Sequence, residues 1–246
     1  EGLSSGEFYD KYWASSPDFS AQNPSSIFRR EWVVSLSRKL VWKTHLDVGC
    51  GNGRLIECIH HASAGSGLHT GIDVSPKVIA GNQGALPHHR FMVKDVSQDS
   101  LDATFDLVTC LEVLEHLPVE GSERAVATLA SSCSPGGHLL VTVPTGRIHE
   151  TERAFGHIRH FNLEDIERLF RRHGVETVSI QRWGWPFHDL SRELANIHPR
   201  ASLRAFASDR PSPLSSFIFA LWTQLNRFNS FKRGQQLLFV GRKISG

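Results

Sequence analysis

Cysteine is sparse in this chain and tyrosine almost missing. The four cysteines, Cys50, Cys58, Cys110 and Cys133, are scattered. No two stand at metal-ligand spacing, and they outline no disulfide framework. That pattern predicts a reduced, cytoplasmic setting. Both tyrosines, Tyr9 and Tyr12, fall near the N-terminus, so no Tyr-x-x-x-Lys pair can be drawn, which disfavours a nicotinamide dehydrogenase. No apolar run approaches the roughly 20 residues of a membrane span, and the polar opening segment has no signal-peptide pattern. Internal repeats and low-complexity tracts are absent. Charge of one sign is lacking as well: 27 Lys and Arg against 25 Asp and Glu leave +2. That is too little to argue for nucleic acid, and no basic tract suggests it.

What is present is concentrated in one stretch, His45-Leu46-Asp47-Val48-Gly49-Cys50-Gly51-Asn52-Gly53-Arg54. An apolar run ends in an acid, and three glycines at alternate positions open an amphipathic segment. A strand that ends in such a loop presents backbone N–H groups and a helix N-terminus to a ligand at the carboxyl edge of a parallel sheet. The spacing is neither that of the dinucleotide fingerprint nor that of the lysine-terminated phosphate loop.

Further segments follow in register. Leu68 to Ser75 is a β-rich run ending in Asp73, with Ser75-Pro76 suited to start a helix. His89 to Val96 reads as a third strand with Asp95 near its end, although a solvated turn is the competing reading for that acid. Phe105 to Pro118 is a buried strand crossing into a short helix, and Ser134-Pro135-Gly136-Gly137 leads into the strand His138–Pro144. Together these motifs resemble the class I S-adenosylmethionine-dependent methyltransferases, across roughly residues 44 to 183.

The resemblance implies an α/β fold: a doubly wound, mostly parallel seven-stranded sheet whose last strand is antiparallel. It implies S-adenosylmethionine as cofactor, held by Asp47, Gly49, Cys50, Gly51 and Gly53 in the first loop. Asp73 would take the ribose hydroxyls, Val74 and Val96 would face the adenine, Asp95 its amino group, and Leu111 would also belong to the cofactor site. Val175–Trp183 reads as the sixth strand and Gln235–Arg242 as the seventh. The domain reading is a helical lid over 1–42, a cofactor-binding core over 43–183, a helical cap inserted over 184–233, and the last strand over 234–246.

The insertion departs from the minimal fold, which joins these two strands by a short hairpin. Helices are expected near Leu190–Ile197 and Ser212–Asn229, the second apolar on more than one side. It reads as a packed cap over the sheet. A wall of the acceptor pocket, a dimer face, and a surface helix touching lipid beside Arg227, Lys232 and Arg233 are the other readings. Monomer and homodimer stay open. The aromatic N-terminal residues Phe8, Tyr9, Tyr12 and Trp13 would fold across the cofactor mouth.

Methyl transfer from a sulfonium requires positioning and, for a hydroxyl acceptor, removal of a proton. The candidate bases lie in two loops at the ligand edge: His116 just past strand four, and His160 in the segment Gly156-His157-Ile158-Arg159-His160-Phe161 past strand five. The expected partner is a small or amphipathic hydroxyl compound such as a sugar, a phenol or quinone precursor, or a lipid-linked glycan. A metal is not part of this reading. The alternative is metal-dependent. Glu112-x-x-Glu115-His116, with His160 or His157, is similar to the set in small-RNA terminal 2′-O-methyltransferases and would hold a divalent cation. A non-catalytic S-adenosylmethionine-binding protein is the third reading.

Overall fold

The computed structural model describes residues 6, 7, 9, 10, 23–206 and 213–244. Phe8, Tyr12 and Trp13 lie outside the described residues. Helix α1 (Pro24–Ser37) starts where Asn23 accepts from the Ser25 and Ser26 amides and Pro24 occupies the first helical turn. Then β1 (Thr44–Val48), α2 (Arg54–Ala62), β2 (Leu68–Asp73), α3 (Pro76–Ala85), β3 (Arg90–Val93) and β4 (Phe105–Leu111) alternate. A 3₁₀ turn (Leu114–His116), α4 (Val119–Ser131), β5 (Cys133–Pro144), α5 (Glu150–Ala154), α6 (Leu163–Arg171) and β6 (Val175–Trp183) follow. The chain closes with α7 (Phe187–Ala195), α8 (Pro199–Phe206), α9 (Pro213–Asn226) and β7 (Gln236–Lys243).

The seven strands lie in the order β3-β2-β1-β4-β5-β7-β6. The first five are parallel, and β7 runs antiparallel to both neighbours. The order reverses between β1 and β4, so the loops after those two strands open a crevice at the carboxyl edge. Near-continuous apolar strands fit a sheet covered on both faces: Leu46, Val48, Leu107, Val108, Leu139 and Val141 are all buried. One face packs on α4 and α6 through Leu129, Ile166 and Phe170, with Phe170 stacked on Phe239. The other packs on α1 and α2 through Phe28, Trp32, Val33 and Ile59.

Among the described residues the insertion contains three helices rather than two, α8 being the one its sequence did not announce. Its aromatic residues divide. Trp183 is buried, whereas Trp185 is 54% and Phe217 66% exposed. The outer side of α9 is thus left uncovered by the described residues. Leu214, Phe217, Ile218 and Leu221 face outward, while α9 rests on α1 and α7. No helix among the described residues is long and apolar enough to cross a membrane.

Candidate active site

The crevice holds a cavity of about 450 Å³. Its first wall is the loop after β1. Gly49 and Cys50 donate their amides to Ile72 O at 2.9 and 3.0 Å, and Asn82 Nδ2 donates to Gly51 O at 2.7 Å. This ties the loop to β2 and α3. Gly49 has φ +69°, and a Cβ there would overlap the Val113 side chain, so only glycine fits between the two loops. Asp73 at the tip of β2 accepts from the Gly51 amide at 3.0 Å through one oxygen and from the Ser75 amide at 3.0 Å through the other. Ser75 caps α3 by accepting from the Val78 amide. A carboxylate oxygen has two lone pairs, so Asp73 keeps acceptor capacity. Burial pushes its pKa up, opposed by the amides it accepts from.

Asp47, Gly49, Cys50, Gly51, Asp73, Val74, Asp95, Val96 and Leu111 all line the cavity. Gly53 does not line it. It turns the chain into α2 with φ +74°. Asp95 is engaged within its own turn, accepting from the Ser97 amide and hydroxyl at 2.9 and 2.7 Å and from Gln98 Nε2 at 2.8 Å. The turn reading of this acid thus describes its present contacts, at a position still on the cavity wall. Tyr9 reaches the cavity mouth and sits edge-on to His116, ring centres 5.7 Å apart. Asp10 accepts from the Ser75 hydroxyl, which fixes this N-terminal turn to α3.

The opposite wall carries the imidazoles. The segment after α5 docks on the 3₁₀ turn, where Glu115 O accepts from the Ile158 and Arg159 amides at 3.0 and 3.3 Å. His116 and His157 line the cavity, with ring centres 4.8 Å apart. His160 does not line it and stands behind His157 instead. Its Nδ1 is 3.1 Å from Gly146 O, and its Nε2 is 3.1 Å from His157 Nδ1. Only a protonated Nδ1 can donate to a carbonyl, so in neutral His160 the Nε2 accepts from His157 Nδ1–H. His157 then keeps an unprotonated Nε2. Burial, with His116, His160, Arg192 and Arg29 adding, lowers the His157 pKa to about 2. Burial also holds His116 and His160 below their ordinary values.

Helix α7 completes this wall through Ser191, Arg192 and Ala195. Arg192 forms an ion pair with Glu152, whose other oxygen accepts from the His149 amide at 2.7 Å.

The set Glu112, Glu115, His116 and His160 is not assembled as the sequence spacing suggested. Glu112 lies outside the 3₁₀ turn at φ +55°. Its carboxylate is taken by Arg29 at 2.8 Å, the Thr142 hydroxyl at 3.0 Å and Gln236 Nε2 at 3.3 Å. Two other groupings bring ligand atoms together: Glu115 with His116 and His157, and Glu152 with His157 and His160. Both depend on His157, which the sequence offered on equal terms with His160, and the first keeps Glu115 and His116 of the expected set without Glu112. The signal for His157 was its place in a loop with two nearby histidines, which does not show which ring faces inward.

Comparison with known proteins agrees with this geometry. Residues 9–180 match the family described as Methyltransferase domain. The chain is 31% identical over 140 residues to ubiquinone biosynthesis O-methyltransferase of Aeromonas salmonicida, covering 54% of this chain and 56% of that one. The enzyme of the same name from Ralstonia nicotianae is 32% identical over 156 residues, 61% of each. The chain thus spans little more than half the length of these curated relatives.

Among solved structures, phosphoethanolamine N-methyltransferase 2 of Haemonchus contortus superposes with a TM-score of 0.64 at 16% identity, over 99% of this chain and 61% of that one. The N-methyltransferase NodS of Bradyrhizobium japonicum, bound to S-adenosyl-L-homocysteine, gives 0.57 at 19%, over 91% and 89%. The reversal of strand order, the glycine loop held against Asp73 and the match over residues 9–180 lead to one conclusion: the chain belongs to the class I S-adenosylmethionine-dependent methyltransferases.

Proposed function

We propose that the protein transfers a methyl group from S-adenosylmethionine to the hydroxyl of a small or amphipathic acceptor. The carrying observation is a single cavity with the glycine loop and Asp73 on one side and the neutral imidazoles of His116 and His157 on the other. The relatives' name, ubiquinone biosynthesis O-methyltransferase, supports oxygen as the acceptor atom and a phenol or quinone precursor as the first class to test. The outward apolar stripe of α9 beside Arg227, Lys232 and Arg233 suits an acceptor that is partly lipid-like.

S-adenosylmethionine supplies an electrophilic methyl group on a sulfonium, displaced in line by the acceptor oxygen. In this reading Gly51 and Asp73 hold the nucleoside end. His157 receives the hydroxyl proton at Nε2, and His160 keeps it in the tautomer that leaves that atom free. A hydroxyl becomes strongly acidic only as its oxygen gains the methyl group. A neutral imidazole can take that proton late in the transfer, and its lowered basicity places His157 toward the weak end of general-base catalysis. His116 flanks the same space and is the other base in reach. The test is methyl transfer from labelled S-adenosylmethionine to a panel of phenols, sugars and lipid-linked glycans. Labelling of amines alone overturns the oxygen assignment.

One observation favours a second reading. Glu115 is fully buried, and neither carboxylate oxygen has a hydrogen-bond partner among the described residues; the same holds for His116 Nδ1. Burying unpaired polar atoms is costly, and a divalent cation held by Glu115, His116 and His157 would satisfy the carboxylate. It would lower the acceptor hydroxyl's pKa and take over the task of the base.

A further inference from the structure

A hydrogen-bonded chain leads from Asp47 in the cavity to the opposite edge of the sheet. Thr109 Oγ1 donates to Asp47 Oδ1 at 2.7 Å, His45 Nε2 lies 2.8 Å from Thr109 Oγ1, and His45 Nδ1 lies 3.1 Å from His69 Nδ1. All four residues are buried, three of them on the central strands β1 and β4. The hydroxyl has one proton. Given to Asp47, it leaves Thr109 able only to accept, so the His45 proton must be on Nε2. His45 Nδ1 is then an acceptor, and His69 must donate from its own Nδ1. That leaves His69 Nε2 bare, and this atom is buried without a hydrogen-bond partner among the described residues. An ionised Asp47 therefore fixes every tautomer along the path.

We propose that Thr109, His45 and His69 are positioning residues of the cofactor site, a polarised chain that holds Asp47 ionised for a cationic ligand and ties its charge to protonation at the far edge. The proposal rests on the reading of the cavity as an S-adenosylmethionine site. The path has two polarities that differ by one proton. A proton bound at His69 Nε2 releases the one on Nδ1 to His45 Nδ1. His45 passes its Nε2 proton to Thr109, and Thr109 passes its own to Asp47. One proton enters at the edge, one arrives on Asp47, and both imidazoles end neutral. Every step breaks one N–H or O–H bond and makes another.

The surroundings suit such a link. Asp47 is faced by Asp73 from β2 and by the thiols of Cys50 and Cys110, from the glycine loop and β4. Burial pushes its pKa up to about 7, the Thr109 hydroxyl opposing and Asp73 adding. At the other end, His69 meets His45 from β1, His60 from α2 and His89 from the segment before β3, ring centres 5.0 to 5.5 Å apart. Trp42 covers it at 5.6 Å, and His88 acts on His89. Burial, with His89 and His60 adding and the Ser66 backbone opposing, holds His69 down to about 4.

The test is calorimetry of S-adenosylmethionine and S-adenosylhomocysteine binding from pH 6 to 9, in buffers of different ionisation enthalpy. The wild type should release protons on binding and bind more tightly as the pH rises through about 7. Thr109→Val, nearly isosteric, removes the donor that favours the carboxylate. It should move that midpoint up by about one pH unit or more and leave affinity at pH 9 nearly unchanged. Thr109→Ser should restore the wild-type profile. A loss equal at every pH, or no change, overturns the role. In the unmutated protein, ¹⁵N shifts at pH 8 should show His45 protonated at Nε2 and His69 at Nδ1, and the opposite tautomer at either also overturns it. Binding by neither ligand would remove the cofactor reading itself. Binding with a wild-type profile in Thr109→Val removes only the chain.

Discussion

Trp183, the last residue of β6, lies face to face on Phe28 of α1, with ring centres 4.3 Å apart and 5° between the planes. This contact joins the start of the insertion to the helix that carries Arg29 into the cavity. Trp183→Ala should destabilise the fold by about 3–5 kcal/mol in denaturant unfolding. Trp183→Phe, which keeps a ring to stack, should lose much less.

Asp73 is the residue on which cofactor affinity should depend most. Asp73→Ala removes the acceptor that orients the Gly51 amide as well as the partner proposed for the ribose hydroxyls. Each hydrogen bond to a charged group is worth about 1.5–3 kcal/mol. Calorimetry should therefore show affinity for S-adenosylmethionine reduced at least tenfold.

His157 and His160 should separate kinetically. His157→Ala should lower kcat by about a hundredfold or more, the span of general-base catalysis, with cofactor affinity unchanged. His160→Asn, behind it, should lower kcat less. Because the His157 pKa is held near 2, its titration should add no acid limb around pH 6.5. A His116→Ala variant slower than His157→Ala would transfer the base role to His116.

Four histidines should make the fold lose stability in acid. His45, His69, His157 and His188 are all held neutral by burial, below their ordinary value of 6.5. Between the lowered folded value and 6.5 the unfolded chain binds more protons, so stability falls as the pH drops below about 6.5. For His69 alone, a drop from 6.5 to about 4 corresponds to about 3 kcal/mol by pH 4. Asp47, raised by burial to about 7, works the other way as the pH falls from 7 to 4. The fall in melting temperature between pH 7 and 5 should therefore be steeper in Asp47→Asn, which lacks that offset, than in the wild type. Equal slopes would contradict these burials.

Chelation distinguishes the two readings of the site. With His157 as base, EDTA should leave turnover unchanged. A collapse that magnesium or manganese restores would establish the cation reading, and Glu115→Gln should then abolish metal binding measured directly by calorimetry.

The elements set by local chemistry were legible in the sequence. The Gly49–Gly53 loop, the Asp73 tip with its Ser75 cap, and β6 all stand where periodicity and turn residues put them. What the sequence did not show depends on side-chain direction. Spacing places Glu112 one turn from Glu115, but its left-handed backbone turns it toward Arg29. Spacing also cannot tell that His157 faces the cavity while His160 supports it from behind. The apolar character of α9 on more than one side does not tell a packed cap from a dimer face or a lipid-touching helix, and its outer side faces outward.

The place of β7 has a consequence for how the chain is made. It separates β5 from β6 and is the one neighbour of β6 in the described sheet. During synthesis on the ribosome the parallel half can assemble first, while β6 waits through about fifty residues for the strand that will join it. Until then β5 is the open edge of the sheet and β6 has no strand to pair with, so the nascent protein is most exposed to mispairing and aggregation during that interval.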